Sequence, residues 1–352
     1  MWARRASVGN RNAGGLLASA FLRAYLLHNR GMNPPLDRRQ LLLAGTLAAT
    51  LSGANAASLT EADGNTVDLW PGGVPGADRV TVIETVEEPT PGALPRDRSV
   101  WKVTKPTITV FEPRGTANGI TWLVIAGGGY RRVVIDREGF DTAAWLTERG
   151  FGAAVLRYRL PGDGWASGPD APVHDGIRAL RWLRVNAGAH GKRLGVIGFS
   201  AGGHLAARLI TEPELDFPAH DALDATKVRP DFAVLMYPVI LTTGEFAHPG
   251  SAQRLIMAGV APTDLALARF TPLQRVNAST PPTMLVHAAD DKTVPLENSL
   301  RMYDALRAAG VSSELHVFEN GGHGFGMRNL TGKTAAAWPT LMQNWALAHA
   351  GS

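Results

Sequence analysis

The 352-residue chain contains no cysteine. That excludes disulfides, thiolate metal sites, a cysteine nucleophile and a lipid-modified cysteine anchor. Only 7% of residues are aromatic and 19% charged, against 45% hydrophobic, so the chain can bury one large core without disulfide support. It also lacks an apolar run of the about 20 residues that a membrane span needs. The nearest candidate, Leu43 to Leu51, is diluted by Ala, Gly and Thr. Net positive charge is confined to one end: residues 1–56 hold seven arginines against Asp37, a local balance of +6 that leaves about −2 for the rest of a chain carrying +4. A nearly neutral folded part has no electrostatic footprint for a polyanion, so nucleic acid is not expected as a partner.

The basic end divides again. Arg38-Arg39 leads into the small, apolar run and then Ala54-Asn55-Ala56, which fits a twin-arginine export signal cleaved near Ala56. We expect export to the periplasm or medium, without stable membrane insertion after cleavage. Met32 lies at start-codon spacing upstream of the arginine pair, so residues 1–31 read as an over-extended N-terminus and 32–56 as the signal.

Residues 57–98, rich in Gly, Pro and acids, read as a surface lead-in, and 99–352 as the catalytic domain. Strands are expected at 100–103, 108–111, 121–126, 152–156, 193–198, 232–237, 284–288 and 314–318. Helices are expected at 139–149, 172–187, 201–209, 299–309 and 335–350. Such alternation predicts an α/β fold with a mostly parallel central sheet covered by helices on both faces. The stretch of about 241–270 breaks the rhythm and predicts a small cap insertion.

Gly198-Phe199-Ser200-Ala201-Gly202 lies between an apolar strand and a small-residue helix. Flanking glycines let the chain turn sharply there and hold the serine hydroxyl out at the sheet's carboxyl edge. A serine hydroxyl is a weak nucleophile near neutral pH, so it needs a base, and the base needs an orienting group. Among ten histidines, His323 in Gly321-Gly322-His323-Gly324 alone combines a position after a strand with a glycine-rich loop. His174 and His204 are expected to pack structurally, and His287 to be buried and hydrogen-bonded. Asp290 and Asp291 follow strand 284–288, and only one of them can point at His323; the other is expected to cap the turn.

Acyl transfer also creates an oxyanion that needs preorganised donors. Ala201, directly after the serine, and Gly128 and Gly129 in the loop Gly127-Gly128-Gly129-Tyr130 are expected to supply backbone N–H groups. Tyr130 and Trp165 are candidate substrate-binding side chains, Trp165 by stacking on a sugar ring. Glu138 is expected to brace the glycine loop through an arginine. No Lys-Ser or Lys-Thr pair follows the triple glycine, which argues against a phosphate loop.

Four blocks together resemble the α/β-hydrolase superfamily, in the esterase and lipase branch that includes carbohydrate acetyl esterases such as acetyl xylan esterases. They are Ala126 to Tyr130 with Glu138-Gly139, Arg157 to Leu160, Gly198 to His204, and His287 to Pro295 paired with Gly322 to Gly324. The resemblance spans roughly residues 68–347 and implies that the acid is Asp291, the second of the pair. Where such relatives often open the glycine loop with His or Pro, this chain has Ala126. The resemblance further implies a serine esterase acting on short-chain, acetyl esters of a small molecule or oligosaccharide, needing no metal or organic cofactor. Alternatives are a lipase or general carboxylesterase of longer acyl esters, a serine exopeptidase of the prolyl-oligopeptidase type, and a non-catalytic binding protein on a hydrolase scaffold. The peptidases normally carry a propeller domain for which this chain has no room.

Overall fold

The computed structural model describes residues 59–212, 217–256 and 263–350. The expected export signal and over-extended N-terminus therefore lie outside the described residues. In chain order the strands are β1 (Asn65–Asp68), β2 (Thr85–Glu87), β3 (Ser99–Trp101), β4 (Thr107–Phe111), β5 (Ile120–Ile125), β6 (Arg132–Val133), β7 (Gly152–Arg157), β8 (Arg193–Phe199), β9 (Phe232–Met236), β10 (Thr283–Ala288) and β11 (Ser313–Phe318). The α-helices are α1 (Asp141–Thr147), α2 (Ala171–Asn186), α3 (Ala201–Thr211), α4 (Pro249–Arg254), α5 (Asp264–Ala268), α6 (Glu297–Ala308) and α7 (Trp338–Ala350).

Eight strands form the main sheet in the order β1-β4-β7-β5-β8-β9-β10-β11. β1, β4 and β7 pair antiparallel, and every pair from β7 across to β11 is parallel. Parallel strands must be covered on both faces, and β5, β8, β9 and β10 are apolar accordingly, with nearly every residue buried. Gly195 of β8 is part of this packing. A Cβ there would lie 2.5 Å from the Trp122 ring and 2.6 Å from Phe232, so its absence lets those two rings meet at 5.1 Å across the sheet. Burying a side chain of that size contributes about 2–3 kcal/mol.

The lead-in is more than a wrapping. Its β1 adds an edge strand to the main sheet, while β2 joins β3 and β6 in a small antiparallel sheet. β1, β2 and β6 escaped the sequence reading because they are two to four residues long, too short for a period to register. The expected helix at 139–149 starts earlier: a π-helical turn over Ile135–Phe140 precedes α1. Arg159, just past β7, is fully buried and paired with Asp175 of α2 at 2.7 Å; Asp175 also accepts from Trp70 Nε1 at 2.7 Å. A buried pair is tolerable only when its remaining polar positions are filled, as they are here.

In the region of about 241–270, α4 and α5 are short helices. Asn298 of α6 holds the start of this cap, accepting from the amides of Ile240 and Leu241 and donating to Phe246 O. No helix among the described residues is long and apolar enough to cross a membrane.

Candidate active site

Ser200 sits between β8 and α3 at φ +52°, ψ −116°. A non-glycine residue at positive φ stores strain of order 1–3 kcal/mol, which the surroundings must hold in place. They do so from several sides: Ser200 N donates to Met236 O at 2.9 Å, and Ser200 O accepts from Val239 N at 3.1 Å. The turn fits only because its neighbours lack side chains. A Cβ at Gly202 would sit 2.3 Å from Ile125 O, and one at Gly127 would sit 2.6 Å from Phe199 O.

Ser200 Oγ lies 2.9 Å from His323 Nε2, and His323 Nδ1 lies 2.7 Å from Asp291 Oδ2. A carboxylate can only accept, so Nδ1 carries the proton and Nε2 presents a lone pair to the serine hydroxyl. These three residues are separated by up to 123 positions in the chain and meet because β8, β10 and β11 end on the same sheet edge. Gly322 and Gly324, both at positive φ, let the histidine loop fold back over that edge.

Burial alone would raise the Asp291 pKa. Hydrogen bonds from His287 and His323, the His323 charge and the Val294 amide outweigh it and hold the carboxyl well below the usual carboxylate range. Its Oδ1 accepts from the amides of Thr293 at 2.8 Å and Val294 at 3.0 Å. His287 is buried, as expected, and has a place in this cluster that sequence did not indicate. Its Nε2 faces Val294 O at 3.0 Å and Asp291 Oδ2 at 3.3 Å, both acceptors, so that nitrogen is protonated and Nδ1 takes the Ser299 hydroxyl at 2.7 Å.

Asp290 points elsewhere. Its Oδ1 accepts from Gly321 N at 2.9 Å and Gly322 N at 2.7 Å, so it pins the histidine loop rather than capping its own turn.

The glycine loop follows β5, with Gly128 at φ +129° and Gly129 at φ +64°. Among the described residues the amides of Gly128, Gly129 and Ala201 donate to no protein acceptor, which leaves them available to an oxyanion. Glu138 braces this loop directly, without an intervening arginine: its Oε2 accepts from Gly127 N at 2.7 Å.

The two expected substrate-binding side chains are not free to bind. Tyr130, at φ +58°, turns inward, is 1% exposed and donates its hydroxyl to His204 Nδ1 at 2.7 Å. Trp165 is 2% exposed, with the Arg159 guanidinium 5.0 Å from its ring centroid. It anchors its loop instead of presenting a face to a sugar. Sequence reasoning missed Tyr237, immediately after β9, whose ring meets His323 edge-on at 5.0 Å. Its position directly after a central parallel strand was the available signal. It also missed His248 of the cap, whose pKa is lowered by burial first and the nearby His323 charge second. No motif marks that residue.

His204 is structural, as expected, since its Nε2 donates to Phe270 O at 2.7 Å. Burial, with Arg208 second, pushes its pKa down to about 3. An unfolded imidazole titrates near about 6.5, so between these values unfolding takes up a proton that the native state refuses. Stability should therefore fall as pH falls through that window, at up to about 1.4 kcal/mol per pH unit from this group. The urea midpoint should drop between pH 7 and pH 5, and His204→Gln should flatten the dependence. Equal slopes in both proteins would assign the effect to another group.

An eight-stranded, mostly parallel sheet with a serine elbow at its carboxyl edge defines an α/β-hydrolase. The chain belongs to the prolyl oligopeptidase family, whose profile matches residues 142–352. It is similar to an acetylxylan esterase of Xylanibacter ruminicola, 30% identical over 204 residues covering 57% of this chain and 40% of that protein. It is also similar to endo-1,4-beta-xylanase B of Butyrivibrio fibrisolvens, 36% identical over 212 residues, 59% of this chain and 32% of that protein. The chain thus spans less than half the length of these two relatives. Among solved structures, an acetyl ester-xyloside bifunctional hydrolase from Caldicellulosiruptor lactoaceticus superposes with a TM-score of 0.63 at 31% identity, covering 80% of this chain and 95% of that one.

Proposed function

We propose that the protein is a carboxylic ester hydrolase that removes acetyl groups from carbohydrate through a covalent acyl-enzyme. The hydrogen-bonded series from Ser200 through His323 to Asp291 carries this reading. Ser200 Oγ attacks the ester carbonyl carbon while its proton passes to His323 Nε2. The oxyanion is met by the Ala201 amide and those of Gly128 and Gly129. The C–O bond then breaks, and the departing alcohol takes the proton from His323. Water attacks the acyl-enzyme, giving its proton to His323; the Ser200 Oγ–C bond then breaks, acetic acid leaves, and the serine oxygen takes the proton back from His323. Asp291, kept ionised, stabilises the imidazolium formed in both halves.

The xylan-linked relatives support the choice of a decorated carbohydrate as substrate. Acetate release from acetylated xylo-oligosaccharides should exceed hydrolysis of long-chain aryl esters by about tenfold or more in kcat/KM. A preference for long acyl chains would make it a lipase. The family match keeps a peptidase reading in view, and cleavage of an aminoacyl-proline anilide at a comparable rate would establish that instead.

A further inference from the structure

One buried carboxylate near the site takes no part in the steps above. Glu138 lies in the π-helical turn after the glycine loop and is 5% exposed. Its Oε2 accepts from Gly127 N at 2.7 Å, and its Oε1 accepts the Tyr237 hydroxyl at 2.9 Å. The Tyr237 oxygen in turn accepts from Gly326 N at 3.2 Å, in the loop that carries His323. A Cβ at Gly127 would lie 2.9 Å from Ser200 Cβ and 3.0 Å from Glu138 Oε2, so the glycine loop is packed against both the serine elbow and the carboxylate.

Tyr237 is held as firmly. Its amide donates to Val286 O at 2.7 Å, its φ is +35°, and its ring packs edge-on against both His323 at 5.0 Å and Phe325 at 4.7 Å.

We propose that Glu138 is a positioning residue for acyl transfer. Through Tyr237 its carboxylate ties the loop of oxyanion donors to the loop of the general base, and its charge favours the imidazolium that His323 becomes during turnover. This rests on the esterase reading above.

An oxyanion donor displaced by a fraction of an ångström loses much of its effect, so a shared brace between two catalytic loops has a direct rate consequence. Both Glu138 oxygens accept hydrogen bonds, which is the pattern of an ionised carboxylate. Its pKa is raised, because burial outweighs the Gly127 amide, the Tyr237 hydroxyl, His323 and Arg137, which oppose the rise. The titratable groups around it are Tyr237, Tyr158, His323 and Arg137, while His323 also faces Asp291 and His248. An amide cannot replace the carboxylate. If glutamine kept the Gly127 bond, its NH₂ would face Tyr237, whose hydroxyl would then meet two donors and have no acceptor for its own proton.

The test uses Glu138→Gln and Tyr237→Phe in the full chain, with thermal unfolding as the check on folding. Glu138→Gln should lower kcat on an aryl acetate about 100-fold with KM within about threefold. It should also move the acid limb of kcat/KM to lower pH by roughly half a unit, because a nearby negative charge is gone. Tyr237→Phe keeps the charge and cuts the tie, so kcat should fall about tenfold with the limb unmoved. A folded Glu138→Gln protein with kcat within about threefold of wild type and the same limb overturns the proposal. Should that variant not fold, an unchanged kcat in Tyr237→Phe overturns it equally. Labelling of wild-type Ser200 by a fluorophosphonate separates the two levels: no labelling sinks the esterase reading itself, whereas labelling with unaffected variants sinks only the role of Glu138.

Discussion

Ser200→Ala and His323→Ala should each lower kcat/KM on an aryl acetate by about three orders of magnitude or more, with the fold unchanged. In the proposed mechanism the serine oxygen bonds to the acyl carbon, and His323 Nε2, 2.9 Å away, is placed to take its proton. Removing either leaves the proposed oxyanion amides of Ala201, Gly128 and Gly129 to assist direct attack of water on the ester, which would supply the residual rate. The two losses should not add, because neither group works without the other. Alanine keeps the Cβ of Ser200 and adds no bulk, so thermal unfolding should shift by no more than about 2 °C. Near-full activity in a folded Ser200→Ala protein would end the acyl-enzyme mechanism.

The second expectation separates two adjacent aspartates. Asp291→Asn should reduce kcat by about 10³ to 10⁴, since an amide at this position can donate to His323 Nδ1 and so favour the wrong imidazole tautomer. Asp291 also collects bonds from His287, Thr293 and Val294, so its carboxylate is fixed in direction as well as in charge. Asp290→Asn should cost less than about tenfold, because an asparagine oxygen can still accept from the Gly321 and Gly322 amides. Steady-state kinetics on the two variants decides the matter. If Asp290→Asn proved the more damaging, the orienting acid would have been misassigned.

Much of the fold was open to reading along the chain. Buried parallel strands such as β5 and β8 are nearly continuous apolar runs, and glycines bracket Ser200 where a sharp turn needs them. His323 stood out for the same reason, an imidazole flanked by residues that permit positive φ. The short strands β1, β2 and β6 did not stand out, because their stability comes from partners elsewhere in the chain. Tyr130 and Trp165 illustrate another limit. Both lie on loops at the correct edge of the sheet, yet whether a side chain turns toward substrate or core depends on backbone φ and on what lies beneath, here His204 and Arg159.

The sequence by itself determined the type of fold, the serine and histidine proposed for catalysis, and the glycine loop, because each depends on local sterics or on hydrophobic period. The resemblance already pointed to Asp291, and the 2.7 Å contact with His323 agrees with it; only the tertiary structure decided that Asp290 pins the histidine loop and that Glu138 joins two loops through Tyr237. Those choices depend on directions and distances of a few ångströms between residues far apart in the chain. Such distances arise only when separate strands are brought to one sheet edge.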